Sequence, residues 1–134
     1  MADLTRLSSA RFGVLGTISP DGEPHMVPAT FALTDGRVVT AIDWKPKQGS
    51  TLQRISNIER DPRVTFLAHH YSEDWDGLWW VRVDGRAEVH REGSAWQQAI
   101  DALVAKYDQY RTRRPEGAAI VITPEAIRSW AAVR

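Results

Sequence analysis

The chain has 134 residues, 43% of them apolar and 25% charged, with 17 basic side chains balanced by 17 acidic ones. This fits one globular domain over residues 1–134 with a core of its own, and it excludes a disordered chain. The lack of a basic excess argues against nonspecific nucleic-acid binding, and the lack of cysteine removes disulfides, Cys-ligated zinc and thiol catalysis.

No apolar run approaches the ~18 residues of a membrane span. The first residues carry neither an apolar stretch nor a cleavage signature, so a cytoplasmic location without membrane contact is expected.

Residues 3–11 read as a short helix, with Leu4 and Leu7 spaced to face a core. Residues 12–19 are rich in strand formers, and Pro20, Asp21, Gly22 and Pro24 supply turn chemistry. Over residues 25–33, Val27, Ala29, Phe31 and Leu33 alternate, which predicts one strand with a buried face. Pro28 within it has no N–H for a ladder and calls for an edge or a bulge. Asp35-Gly36 is a second hairpin signal before a strand over 37–43, so these three strands are expected as an antiparallel meander.

Residues 48–60 change period. Leu52, Ile55 and Ile58 mark an amphipathic helix, stopped by Asp61-Pro62. A strand follows over 63–70. Over 78–90, Trp79, Val81, Val83, Gly85, Ala87 and Val89 alternate with Trp80, Arg82, Asp84, Arg86, Glu88 and His90. This predicts one long, half-buried strand bent at Gly85, with a hairpin at Asp84-Gly85 as the alternative.

Ser94 is placed to cap a helix over 94–112 whose apolar stripe is Trp96, Ile100, Leu103, Tyr107 and Tyr110. A last strand over 118–123 is expected to end at Pro124. Six strands and about three covering helices imply an α+β fold built on a small, partly closed antiparallel barrel.

Positive charge gathers where the strand over 37–43 gives way to the middle helix. Lys45 and Lys47 precede Ser50 and Thr51, and Arg54 and Asn57 follow at one-turn intervals. Free backbone N–H groups and the helix dipole attract anions at such a point, which makes a phosphate cradle. A solvated basic loop beside a capped helix is the competing explanation.

Trp80 falls on the polar face beside Arg82, and a partner chain or a flat ring would cover it. Trp79 falls on the inner face, where core packing also accounts for it. His25, His69, His70 and His90 show no metal-ligand spacing, so no metal site is expected. Glu73, Asp74 and Asp76 read equally as a carboxylate cluster or a polar loop. No nucleophile-elbow, Walker or dinucleotide-binding motif occurs.

Residues 17–25 (TISPDGEPH), 52–64 (LQRISNIERDPRV) and 79–87 (WWVRVDGRA) together resemble the pyridoxamine 5′-phosphate oxidase-like flavin-binding split barrels. Residues 43–47 (DWKPK), and 70–75 (HYSEDW) before 78–82 (LWWVR), resemble the actinobacterial branch that uses the deazaflavin coenzyme F420. The resemblance runs along nearly the whole chain in order. It implies an FMN-binding split barrel of six strands, assembled as a homodimer with two cofactor sites at the interface.

The resemblance also implies that Lys45, Lys47, Ser50, Arg54 and Asn57 meet the cofactor phosphate. It places the backbone of Pro28, Ala29 and Thr30, and of Ala41, Ile42 and Asp43, beside the ring. Trp79, Trp80 and Arg82 would lie near the interface and reach toward the partner's site. Relatives often carry an acidic residue where His69 stands, a departure in this chain.

The implied chemistry is hydride transfer between coenzyme F420 and a small organic substrate, with FMN as the alternative cofactor. No catalytic side chain is assigned, and Tyr71 and His25 are candidates to deliver a proton. Arg111, Arg113 and Arg114 could hold a longer anionic tail or only cap their helix. A non-catalytic carrier of deazaflavin or haem is the reading from outside the enzyme class.

Overall fold

Period-two patterning dominates the chain and yields seven strands among the described residues, one more than expected. The computed structural model describes residues 2–43 and 52–133. In chain order the elements are α1 (Ala2–Ser9), β1 (Gly13–Ile18), β2 (Pro24–Ala29), β3 (Ala32–Thr34), β4 (Arg37–Ala41), α2 (Gln53–Arg60), β5 (Arg63–His70), β6 (Trp79–His90), α3 (Ser94–Lys106), α4 (Asp108–Thr112) and β7 (Ala119–Ala131). The strands form one antiparallel sheet in the order β2-β1-β5-β6-β7-β4-β3. Its edges, β2 and β3, are separated in the chain only by Thr30 and Phe31. That short link draws the two edges together, so the sheet curls into a split barrel.

The extra strand arises at that corner. The run over 25–33 does not stay one strand and the meander does not form: β2 pairs with β1, whereas β3 pairs with β4 at the opposite edge. The break is held by side chains from far along the chain. The Phe31 N–H donates to the Tyr107 hydroxyl at 3.1 Å, that hydroxyl lies 2.7 Å from the Arg11 carbonyl, and Thr40 Oγ1 donates to the Thr30 carbonyl at 2.7 Å. Pro28 sits on edge strand β2, where its missing N–H costs no ladder bond.

The long strand over 78–90 forms as one piece, β6, with a register shift between Asp84 and Gly85. At the shift Gly85 faces Pro124, and a Cβ on Gly85 would come within 2.2 Å of the Thr123 carbonyl oxygen. This close approach lets β7 continue through Pro124 to Ala131 instead of stopping at residue 123. The bulge absorbs the proline, because that stretch of ladder is already interrupted there.

The helix expected over 94–112 divides at Tyr107, whose backbone is extended because its hydroxyl is tied to the corner. Ser94 is not the cap. Gly93 occupies that position with φ 93°, a left-handed value that suits glycine, and no side chain caps the helix.

Alternation buries two apolar clusters. Inside the barrel, Leu15, Phe31, Phe66, Val81, Val83, Ile120 and Ile122 pack with Ile55 and Ile58 of α2 and Leu7 of α1. Outside it, Ile100, Leu103, Tyr107 and Tyr110 cover Ala32, Val39, Ala41 and Val121. The apolar stripe of the third predicted helix thus finds its partner on β3, β4 and β7.

Lys106 at the end of α3 enters this packing. Its Nζ lies 3.8 Å from the Phe31 ring centroid and has no hydrogen-bond partner among the described residues. Burial, aided by nearby Arg11, pushes its pKa down from 10.5 to about 8. Between those values the folded chain binds fewer protons than the unfolded chain, so stability rises with pH there and the cost is complete below it. Lys106→Met is expected to raise Tm at pH 7 by about 3 °C, from roughly 1 kcal/mol after discounting for solvent around a half-exposed group. Thermal melts at pH 7 and pH 9.5 check this, since the advantage must shrink at the higher pH.

Candidate functional site

The corner that splits the barrel also opens it. The end of β2 and the loop after it, the end of β4, and the start of α2 surround a cleft of about 540 Å³, within the range of small-molecule sites. Pro28, Ala29 and Thr30 form one wall, and Ala41, Ile42 and Asp43 form another. Phe12 and Leu52 add apolar surface, and Arg54 adds charge at the first turn of α2. All the residues expected beside a ring therefore line one cavity together with one of the residues expected to meet a phosphate.

The walls owe their form to local backbone pairing. Ile42 N–H donates to the Ala118 carbonyl at 2.9 Å, and the Ile42 and Asp43 carbonyls accept from Gly117 and Glu116 at 3.1 and 2.9 Å. The Arg54 guanidinium is half-buried. Burial lowers its pKa, and the Asp43 carboxylate opposes that shift. An anion entering here would meet a cation that has already lost much of its hydration.

Tyr110 was not among the expected site residues, yet it shapes the cleft. Its hydroxyl donates to Asp43 Oδ1 at 2.5 Å and lies 2.7 Å from Thr30 Oγ1. Burial first, then the bond to Asp43, pushes the phenol pKa up to about 12. In the sequence it is only the last member of an apolar stripe. The available signal is that a buried tyrosine brings a hydroxyl that must find a partner.

The other expected residues lie elsewhere. Asn57 is fully buried in the barrel, donating to Thr17 Oγ1 at 2.9 Å and accepting from Gln53 Nε2 at 2.7 Å. It ties α2 to β1 and does not line the cleft. Lys45, Lys47 and Ser50 fall outside the described residues.

Trp79, Trp80 and Arg82 border a second hollow, of about 550 Å³, with His69, His70, Tyr71 and Trp130. Within one chain this hollow is distinct from the cleft at Arg54. Neither Tyr71 nor His25 lines the Arg54 cleft. Arg111 donates to the Ala105 carbonyl near the end of α3, a capping contact, and Arg114 pairs with Asp101.

Asp74 accepts from the Asp76 N–H within the loop before β6, so the polar-loop reading describes that acidic run. Among the described residues no group of three His, Asp or Glu side chains could hold a metal ion, and no helix is long and apolar enough to cross a membrane.

A curled antiparallel sheet with a cleft at its open corner defines the class of split-barrel proteins. The chain belongs to the pyridoxamine 5′-phosphate oxidase family, whose profile matches residues 3–131. Among solved structures, a conserved hypothetical protein of Mycobacterium tuberculosis is 27% identical with a TM-score of 0.79, covering 96% of this chain and 82% of that one. An FAD-binding protein of Mesorhizobium loti is 20% identical with a TM-score of 0.74, covering 96% of this chain and 91% of that one. A heme-binding protein of Mycobacterium smegmatis is 19% identical with a TM-score of 0.73, covering 97% of this chain and 56% of that one. These last two share the fold. A comparison with curated protein sequences gives no match.

Proposed function

We propose that this chain is an oxidoreductase that binds a phosphate-bearing flavin-type ring in the Arg54 cleft. Coenzyme F420 is the cofactor favoured by the run over 43–47 and the aromatic segment before β6, with FMN as the alternative. The observation that carries the reading is the pairing, in one cavity of about 540 Å³, of an apolar lining with a half-buried cation at a helix start.

Bound there, the cofactor supplies hydride transfer with a small organic substrate. The chain's own part is to hold the ring against Ala29 and Ala41, neutralise the phosphate through Arg54 and the basic loop before it, and keep water from the ring with Phe12 and Leu52.

The test is a spectroscopic titration with F420, FMN, FAD and haem, followed by turnover of reduced F420 or FMN with candidate acceptors. Saturable binding of a flavin or deazaflavin with substrate-dependent oxidation is expected. Binding without consumption across broad acceptors would favour a carrier, and haem binding alone would overturn the reading.

The reading includes a homodimer. Among the described residues no helix covers the outer face of β2, β1, β5, β6 and the end of β7, unlike the half covered by α3, and Met26 (62%) and Trp130 (48%) are left exposed on it. Trp80 pairs across strands with Trp130, and beyond them Arg82 and Arg128 both bond Asp84. A second copy of the same sheet is the natural cover for an aromatic and apolar face with a central ion network. Trp80→Ala is expected to raise the dimer dissociation constant about tenfold or more. Sedimentation across a dilution series reads this, and an unchanged profile would count against the interface.

A further inference from the structure

The hydroxyl and carboxyl groups on one side of the cleft have their protons committed away from it. Tyr110 gives its only hydroxyl proton to Asp43 Oδ1, so the bond between Tyr110 and Thr30 must use the Thr30 proton. Thr40 gives its proton to the Thr30 carbonyl. Thr30 and Asp43 line the cleft, and their side-chain oxygens have only lone pairs to offer a ligand. Arg54 is the one donor side chain among the described residues that line it.

We propose that Tyr110 acts as a positioning residue that leaves the side chains of Thr30 and Asp43 as acceptors only, so that they select a ring edge that carries an N–H donor. Flavins and deazaflavins share such a group, the imide N3–H of the pyrimidine ring, so the proposal deepens the reading above without choosing between the two cofactors. It rests on that reading, because it needs the ring in this cleft. The raised phenol pKa of Tyr110 supports the geometry, because the hydroxyl keeps its proton to donate throughout the neutral range.

A side-chain acceptor here that faces no proton on the ligand loses hydration and gains nothing. Donor-matched sites discriminate strongly against ligands lacking the donor for the same reason.

The test measures affinities of FMN and 5-deaza-FMN, each beside its N3-methyl derivative, for the unaltered protein and for Asp43→Asn and Tyr110→Phe. The parent rings are expected to bind about tenfold or more tighter than their N3-methyl forms. Asp43→Asn, which is nearly the same shape, turns an N–H₂ toward the ligand and should remove most of that preference. Tyr110→Phe, which frees the Thr30 proton, should lower it.

A purely steric penalty from the methyl group would survive Asp43→Asn, and a purely structural role for Tyr110 would shift all affinities together and leave the ratio unchanged. Equal binding of parent and methylated rings to the unaltered protein, or an undiminished preference in Asp43→Asn, overturns the proposal while leaving the cofactor reading intact. If neither parent ring binds and F420 does not bind either, the cofactor reading falls and takes this proposal with it.

Discussion

Arg54→Ala is expected to weaken binding of a phosphorylated flavin or deazaflavin by about 10- to 100-fold, the worth of one charge-assisted hydrogen bond of roughly 1.5–3 kcal/mol. The double variant with Lys47→Ala should lose more, because the sequence gathers both cations at the same helix start. Two readouts separate this from general damage. The affinity for riboflavin, which lacks the phosphate, should change far less than that for FMN. The melting temperature of the protein without ligand should hold or rise, because burial already works against the Arg54 charge in the folded chain. Equal losses for riboflavin and FMN would mean that Arg54 supports the ring and not the phosphate.

The largest effect on stability is expected at the bulge of the long strand. Gly85→Ala sets a methyl group 2.2 Å from the Thr123 carbonyl oxygen and 3.1 Å from the Pro124 Cα, both backbone atoms with nowhere to move. Such overpacking in a central ladder should cost about 3 kcal/mol, or roughly 10 °C in Tm. Gly16→Ala on β1 is the matched control, since its added methyl would meet nothing closer than 3.5 Å. That change should stay within about 1 kcal/mol of the parent, or improve on it, because alanine loses less entropy on folding. Comparable denaturation midpoints for the two variants would show that the sheet relaxes at the bulge and that Gly85 is not required for the path of β7.

Much of the fold can be read from local pattern, and the exceptions share one cause. The alternation through β6, the three-residue spacing of Leu52, Ile55 and Ile58, and the edge demanded by Pro28 are properties of neighbouring residues, so the sequence displays them directly. The division of the run over 25–33 is different. It depends on Tyr107, 76 residues from Phe31, reaching the backbone at the corner. The same hydroxyl ends α3, which no local propensity at residue 107 announces. β7 passes through Pro124 only because Gly85 leaves room opposite it.

The candidate site divides in the same way. The residues that the resemblance places beside a ring lie in contiguous segments, and the curled sheet brings them to one cleft. Asn57 sits at helical spacing from Arg54, but a partner on β1, Thr17, turns it inward. Tyr110 went unnoticed because its partners, Thr30 and Asp43, come together only when the sheet curls.

A crystal structure of the protein soaked with F420 or FMN addresses the main claim most directly. Density for a flat ring between Ala29, Thr30 and Ala41, with its phosphate at the start of α2 near Arg54, is the predicted result. Well-ordered cofactor bound only in the aromatic hollow of Trp80 and Trp130, with the Arg54 cleft holding solvent alone, would contradict it.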